Sequence, residues 1–455
     1  MDTTRLELGP PPTSILDKQE IESSATPSRS DLSVGLPPVD GGLQAWIFVG
    51  SATALDVRLG DRVAFGTYQN YYTSSNDSPI LGSSISSVAA IGTTYLATQY
   101  ILGFLLMPLL KRYPQHVRLA LWVFLAIECV SLISASFATQ TWHLILLQGI
   151  IPGIAGAVFY GPALLWLSQW WVERCGLACG IMFCGTGAGG AIFPPIIGVL
   201  LQHLGFRWTL RIWALAFTLV MAPAIYFMRP RYPPARLKEG DDRKINWSRF
   251  VNPVLAVVSA SVFIQALGYF PVSIYIPTYT TSLGLPPLDG QLVLSVFNIC
   301  TLIGQVFLGW LCDKLHFHAA IIVAGIGSTL SAFLIWGFAS NLGMIFAFVI
   351  VFGFTAGGFS SIFAPVGAAV FGSDQLSAGV IPGYLGALRG VAAIIGPIVS
   401  ATLYTPGEPP LSGIYGMYGF GKMQIFVGVM TAVTVAGGIG SWAFAKAEMR
   451  RGRVE

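Results

Sequence analysis

Between Trp166 and Pro195 the chain reads Trp-Leu-Ser-Gln-Trp-Trp-Val-Glu-Arg-Cys-Gly-Leu-Ala-Cys-Gly-Ile-Met-Phe-Cys-Gly-Thr-Gly-Ala-Gly-Gly-Ala-Ile-Phe-Pro-Pro. A long apolar segment runs into this stretch and a second begins inside it. Its only charges, Glu173 and Arg174, stand at the turn between the two. Beyond the turn, Gly176, Gly180, Gly185, Gly187, Gly189 and Gly190 crowd one helix. Interior glycines weaken a helix in water, whereas in a bilayer small residues let two helix backbones approach and associate. The competing reading, a phosphate-cradling loop, lacks both a preceding strand and a Lys-Ser/Thr after the glycines. The stretch predicts a tight helical hairpin inside a membrane bundle.

Composition closes the other routes. Of 455 residues 54% are hydrophobic and 10% charged, with a mean hydropathy of +0.68, where a soluble globular protein carries about 25% charged residues. The six cysteines (Cys129, Cys175, Cys179, Cys184, Cys300 and Cys312) fall within or beside apolar runs. They read as small packing residues rather than a disulfide framework or a metal site.

Residues 1–40 are a different material, rich in Pro, Ser, Thr and charge, and are expected to be a disordered cytosolic tail. They lack the basic start, apolar core and small-residue cleavage site of a signal peptide. From there apolar runs of about 20 residues recur, each long enough to cross a bilayer. The expected spans are 43–65, 81–107, 117–138, 142–170, 176–203 and 209–229, then 250–282, 290–312, 319–339, 342–370, 376–404 and 421–446. The chain is therefore predicted to be an all-α membrane protein of twelve transmembrane helices. Its expected parts are an N-terminal six-helix bundle (41–229), a polar linker (230–249), a C-terminal six-helix bundle (250–446) and a short tail (447–455).

Lys and Arg set the orientation. With the tail inside, the inner loops hold Lys111, Arg112, Arg118, Arg174, Arg229, Arg231, Arg236, Lys238, Arg243, Lys244, Arg249 and Lys314, and the C-terminal end adds Lys446, Arg450, Arg451 and Arg453. The other side has Arg207, Arg211 and Lys422. Both termini are predicted to be cytosolic. Of the two sequons, Asn76-Asp-Ser78 then falls outside and Asn246-Trp-Ser248 inside.

Ionisable groups inside spans cost roughly 2.5–3.5 kcal/mol on insertion scales and so point to function. The first span holds Asp56, Arg58, Asp61 and Arg62. Arg58 and Asp61, three apart, can face each other on a helix. Three readings stay open: a cavity lining for a polar or anionic substrate, a helix that breaks near Leu55 and leaves the charges in water, or an aberrant stretch. Arg389 stands among Gly386, Ala387, Leu388 and Gly390, with room for a guanidinium whose planar fork suits a carboxylate. Substrate contact is one reading, and pairing with a carboxylate or helix end is the other. Glu128 is a candidate for that partner or for a proton site, and a lone acid against neighbouring hydroxyls is the blander alternative.

Pro38-Val-Asp-Gly-Gly-Leu-Gln-Ala-Trp46 and Ser168-Gln-Trp-Trp-Val-Glu-Arg-Cys-Gly-Leu-Ala-Cys-Gly180 resemble two signatures of the monocarboxylate-transporter family within the major facilitator superfamily. The first is worded as in its fungal branch. Phe65-Gly-Thr-Tyr-Gln69, Phe363-Ala-Pro-Val366 and Gly304-Gln-Val-Phe-Leu-Gly-Trp-Leu-Cys-Asp-Lys314 fit the same family, so the resemblance covers about 38–446. It implies alternating access, two bundles rocking about a central cavity. It further implies that Asp313 and Lys314 form an inner gate, meeting helix ends of the opposite bundle in one state and releasing them in the other. The equivalent after the second span, Lys111-Arg-Tyr-Pro114, lacks the acid, which makes the first-half gate look degenerate. Glu173 and Arg174 are candidates for a similar gating or topogenic part. In the eighth span, where the family places an acid and an arginine, this chain has Asn298 and Gln305. The family's proton–carboxylate mechanism therefore does not carry over, although both amides are candidate cavity donors. Tyr68, Gln69, Tyr160 and Gln265 are further polar candidates, with packing as the alternative for the aromatics.

The five histidines are scattered, and no filter motif appears, so neither an intramembrane enzyme nor a channel is expected. The C-terminal tail is too short for the extension a sensor usually carries. The reading is a secondary transporter of a small organic solute, a monocarboxylate or related metabolite, with protons as a candidate co-substrate. It has no cofactor and no nucleic-acid partner. The alternative is an exporter or facilitator of a larger neutral or secondary metabolite. The plasma membrane is the expected site, the vacuolar membrane the second.

Overall fold

The computed structural model describes residues 36–63, 65–75, 78, 80–83, 85–232, 247–372 and 375–451. Most of the expected tail 1–40, the linker between 233 and 246, and residues 452–455 lie outside the described residues. So do Asn76 and Asn246 of the two sequons and the side chains of Asp61 and Arg62.

The described chain is helical but for one isolated bridge, Ser412 with Tyr415. Its long helices are α1 (Leu43–Val63), α2 (Ile85–Leu105), α3 (Val117–Ala135), α4 (Ile151–Trp170), α5 (Cys175–Phe227), α6 (Pro253–Ser282), α7 (Pro287–Leu330), α8 (Leu342–Gly357), α9 (Val380–Leu403) and α10 (Gly421–Arg451). Among the described residues, nine helical stretches are long and apolar enough to cross a membrane. Each is partly buried in the bundle and leaves the rest of its apolar surface exposed, as a bilayer would cover it. Helix α1 is not among the nine, because four ionisable residues lower its hydropathy.

Two stretches are of double length, Cys175–Phe227 and Leu288–Phe338. Each breaks once. Gly205 takes φ 69° and ψ 171° inside α5, and His316 takes φ 68° and ψ 157° inside α7. Glycine enters this region freely. A histidine there carries steric strain of about 1 kcal/mol or more. Both breaks fall between spans the hydropathy separates. Elsewhere the starts are capped: Asn252 accepts the N–H of Val254 at 2.7 Å and of Leu255 at 3.2 Å, with Pro253 at the first helical position. Asn341 accepts from Met344 at 3.0 Å. Each cap satisfies N–H groups that have no partner within the helix.

The glycines of α5 set the packing. A methyl at Gly185 or Gly189 would collide with the α1 backbone at Thr53 and Val57. One at Gly176 or Gly180 would collide with α7 at Gly309 and Gln305. Helix α5 therefore lies backbone to backbone with a helix of each half of the chain, as small residues allow in lipid.

The buried apolar side chains form three clusters. One draws on both halves, from Phe48 and Trp171 to Leu308 and Ile381, and surrounds the turn at 171–174 and Asp313. The second, around Tyr72 and Leu210, belongs to the first half alone. The third, around Tyr279 and Phe348, belongs to the second half alone. The two halves share a core at the Asp313 end and have separate cores at the far end.

Candidate functional site

At the Asp313 end, hydrogen bonds as well as apolar contacts join the halves. The Asp313 carboxylate accepts the N–H of Gly176 and of Leu177, both at 2.8 Å, and so caps the start of α5 from α7. A carboxylate at a helix N-terminus meets unpaired N–H groups and the positive end of the helix dipole. The same turn is held from before α1, where Asp40 accepts from Val172 at 2.8 Å and Arg174 at 3.0 Å. Glu173, Arg174 and Lys314 are exposed at this end, and the Arg174 charge acts on Asp313.

The degenerate first-half gate needs correction. Lys111 is 7% exposed, and its ammonium donates to the Ser377 hydroxyl of the second half at 2.6 Å. The missing acid is replaced by a donor of opposite sign. Sequence reading missed this because Ser377, 266 residues away, carries no signal of its own.

Asp56 and Arg58 of α1 are inside the protein. The helix runs unbroken through them, and Asp56 and Arg58 are 6% and 4% exposed. A break near Leu55 that leaves them in water is thereby excluded. Nor does Arg58 turn to Asp61. Its Nε and Nη2 donate to both Glu128 oxygens, at 2.5–3.1 Å, and Nη2 also donates to the Pro152 carbonyl at 2.5 Å. Nη1 donates to the Tyr95 hydroxyl at 2.6 Å and Gln99 at 3.4 Å. A guanidinium in an apolar bundle takes the fully ionised, bidentate acceptor in reach, and a carboxylate on another helix offers a straighter fork than one on its own. Glu128 is thus the partner of Arg58, neither of Arg389 nor of hydroxyls alone. Gly156 makes the room, since a methyl there would occupy the space of Arg58 Nη1 and Gln99. One signal for the nest was legible: Tyr95 and Gln99 are polar and four apart, hence on one face of α2.

Asp56 faces the other way. Its Oδ2 accepts from the Thr186 N–H at 2.9 Å and the Thr186 hydroxyl at 2.6 Å, between the α5 glycines. It lines a small cleft with Ala52, Leu55, Arg58, Gln99, Tyr160 and Met182.

Arg389, on α9, is 5% exposed. Its Nη1 donates to Gln265 Oε1 at 2.9 Å, and its guanidinium stands 4.8 Å and 5.3 Å from the ring centres of Tyr269 and Phe270. Gln265 is itself anchored, donating to the Ala356 carbonyl at 2.8 Å. Among the described residues Arg389 has no carboxylate partner. Across from it, Tyr100 and Tyr160 of the first half form an edge-on pair at 6.2 Å. Tyr100 lies against Gly390, and the Tyr160 hydroxyl is 3.3 Å from where a methyl on Gly386 would sit.

The remaining expected residues divide. Asn298 donates to the Gly190 carbonyl at 3.2 Å and so ties α7 to α5. Gln305 donates to the Gly357 carbonyl at 3.0 Å and accepts from Ser361 at 2.8 Å. Each amide donates one hydrogen bond to a backbone carbonyl of a neighbouring helix, the kind of partner a polar group needs in lipid. Tyr68 is packed between Phe65 and Tyr72 in the far-end core, away from Arg389 and Asp56. Arg62 lies outside the described side chains. Among the described residues no three His, Cys, Asp or Glu side chains gather to hold a metal.

These features define an integral membrane protein with polar groups of both halves along an internal seam. The Major Facilitator Superfamily profile matches residues 57–397 and 258–448, and the chain belongs to that superfamily. It is similar to an aspyridones efflux protein of Emericella nidulans, 27% identical over 94% of this chain and 82% of the relative. It is also similar to a fujikurins efflux protein of Gibberella fujikuroi, 28% identical over 89% and 83%, and to an MFS-type transporter of Aspergillus terreus, 29% identical over 66% and 98%. The narrower likeness to monocarboxylate porters finds no counterpart among these names.

Proposed function

We propose that the chain is a secondary transporter that exports an organic metabolite by alternating access, through twelve helices in two six-helix bundles, 41–229 and 250–446. Both termini are cytosolic in this reading, so the shared core at the Asp313 end is a closed inner gate and the split far end faces outward. The observation that carries the reading is that division of the core: one end common to both halves, the other separate. A rocking carrier needs contacts of that kind, extensive at one end and able to be exchanged for contacts at the other.

Export rather than uptake is supported by what the relatives are named for. It is also supported by Asn298 and Gln305, which stand where a proton–carboxylate porter would hold charges and are bound to backbone carbonyls here. Asp313, Lys111 and Arg174 are the inner-gate groups in this reading, and Asp56 and Arg389 the cargo-side groups. The plasma membrane is the proposed location, the vacuolar membrane the second. A simple monocarboxylate as cargo is the weaker reading.

The test is flux in sealed inside-out vesicles, with and without a pH gradient, using aspyridones, fujikurins and labelled simple monocarboxylates. The expected result is accumulation of a metabolite of the first kind and none of the monocarboxylates. Monocarboxylate flux that follows the pH gradient would overturn export in favour of a porter.

A further inference from the structure

Of the three arginines buried among the described residues, two stand within membrane-spanning helices, Arg58 and Arg389, and only one of these has an acid. Arg58 is matched by Glu128. Arg389 is held by an amide oxygen and two ring faces, which orient the guanidinium without neutralising it. A guanidinium carries five N–H donors in a rigid fork, and Gln265 takes one of them. A cation in this condition within a membrane span marks a ligand path.

What faces it is equally one-sided. The Tyr100 and Tyr160 phenols lie within electrostatic reach of Arg389. Among the described residues their hydroxyls have ring neighbours and no hydrogen-bond acceptor. Gly386 and Gly390, either side of Arg389 on α9, let Tyr160 and Tyr100 pack directly against the helix beside the guanidinium. Three donors, one from the second half and two from the first, therefore meet among aromatic rings where the two halves pack together. The rings favour a flat conjugated body. The donors favour an ionised oxygen on it. Asp56 is engaged elsewhere, accepting from the Thr186 N–H and hydroxyl.

We propose that Arg389, Tyr100 and Tyr160 form the binding site for a planar, conjugated organic anion, an aromatic carboxylate or an enolate. The cargo is carried with its charge and without an accompanying proton. This rests on the transport reading above and names its cargo class. It also names a driving force: an inside-negative potential of 100 mV alone holds a monovalent anion at about a 50-fold outward ratio. Because the donors come from opposite halves, the anion bridges them, and its release requires the halves to separate at the far end.

The experiment has a binding arm and a flux arm. The purified full chain in nanodiscs is titrated with 2-naphthoate and with the enolic acid 4-hydroxycoumarin, and with neutral 2-naphthamide as control. Saturable binding of at least one anion is expected, with the amide at least tenfold weaker. Arg389→Gln should weaken the anion at least tenfold and leave the amide unchanged, while Tyr100→Phe and Tyr160→Phe should each weaken it about threefold. Should Arg389→Gln not elute as a folded monodisperse species, the anion-to-amide ratio on the parent chain and the two Phe variants decide. Equal affinity for amide and anions, or no saturable binding of either anion, overturns the proposal. In proteoliposomes at symmetric pH, a potassium–valinomycin potential should drive bound anions outward, and a pH gradient without a potential should not. Flux that needs the pH gradient overturns the proton-free part. Anion binding without flux would leave the site standing and defeat the transport reading, whereas flux of neutral metabolites with no anion binding does the reverse.

Discussion

Arg58 and Arg389 are alike in burial and unlike in company. The first is enclosed by α1, α2, α3 and the Pro152 carbonyl, all in one half of the chain, with a bidentate carboxylate. The second has an amide, two ring faces and, packed against its flanking glycines, the tyrosines of the other half. A charge whose partners all move with it is architecture. A charge whose nearest donors sit on a body that moves relative to it has its neutraliser arriving from elsewhere. Counting intramembrane charges in a sequence ranks these two equally, and only their surroundings separate them.

The strongest attempt to break that contrast is Glu128→Gln, which leaves Arg58 buried without its acid. Removing one partner of a buried pair costs about 3–5 kcal/mol, so a large drop in thermal stability and in folded yield is expected. Arg58→Met with Glu128→Leu should recover part of it. An unchanged melting temperature in Glu128→Gln would put Arg58 in the same class as Arg389. Arg389→Gln sharpens the contrast from the other side: its stability should stay within about 1 kcal/mol of the parent, because no ion pair is broken.

Next come the contacts between halves. Asp313→Asn keeps the shape of the α5 cap and removes its charge, a loss of about 0.5–2 kcal/mol. It should populate the state in which the Asp313 end opens. Cys175 and Cys312, 7% and 4% exposed on either side of that seam, are built-in reporters. Their labelling by a membrane-impermeant maleimide in inside-out vesicles should rise several-fold. Lys111→Met should raise the same labelling by less, since it removes one hydrogen bond and keeps the apolar stem. No rise in either variant would mean the two contacts do not hold the end shut.

The smallest effect belongs to the far-end loop. Glu408 accepts from Lys422 at 2.9 Å and Thr405 at 2.6 Å, and the Lys422 bond, then the Thr405 bond, hold its carboxyl below the usual range. A depressed folded-state value means the contribution is present above the unfolded carboxylate range and fades as pH falls through the lower folded one. Glu408→Gln should therefore leave acid stability unchanged and produce at most a marginal loss at neutral pH, smaller still in high salt.

Much of the fold was readable because the bilayer imposes one rule, apolar length, on every span. The glycines of α5 also announced a close seam, and the structure supplies two, one to each side. Less of the site was readable. Hydrophobic pattern says that Arg58 is inside but not which way it turns, and its acid lies 70 residues on, in α3. Asn298 and Gln305 were legible as polar groups inside the bundle, but sequence gives a residue's type and not the carbonyls it meets, those of Gly190 and Gly357. Lys111 looked like a topogenic charge for the same reason. Pairings across the chain are set by tertiary geometry, and local spacing carries no record of them.

The glycine seam between α5 and α7 has a kinetic meaning. Where Gly176 meets Gly309, and Gly180 meets the backbone at Gln305, the sliding surfaces are main chain with few side chains between them. Interlocked side chains must each leave a rotamer well before two helices can shift, and each must find a new one afterwards. A bare seam has few such wells to leave. In the proposed alternating-access cycle such a seam would act as a bearing, tight enough to hold the halves in register and smooth enough to leave the turnover rate to the polar latches at its end. Larger residues at these positions would add friction to the motion before they altered the fold.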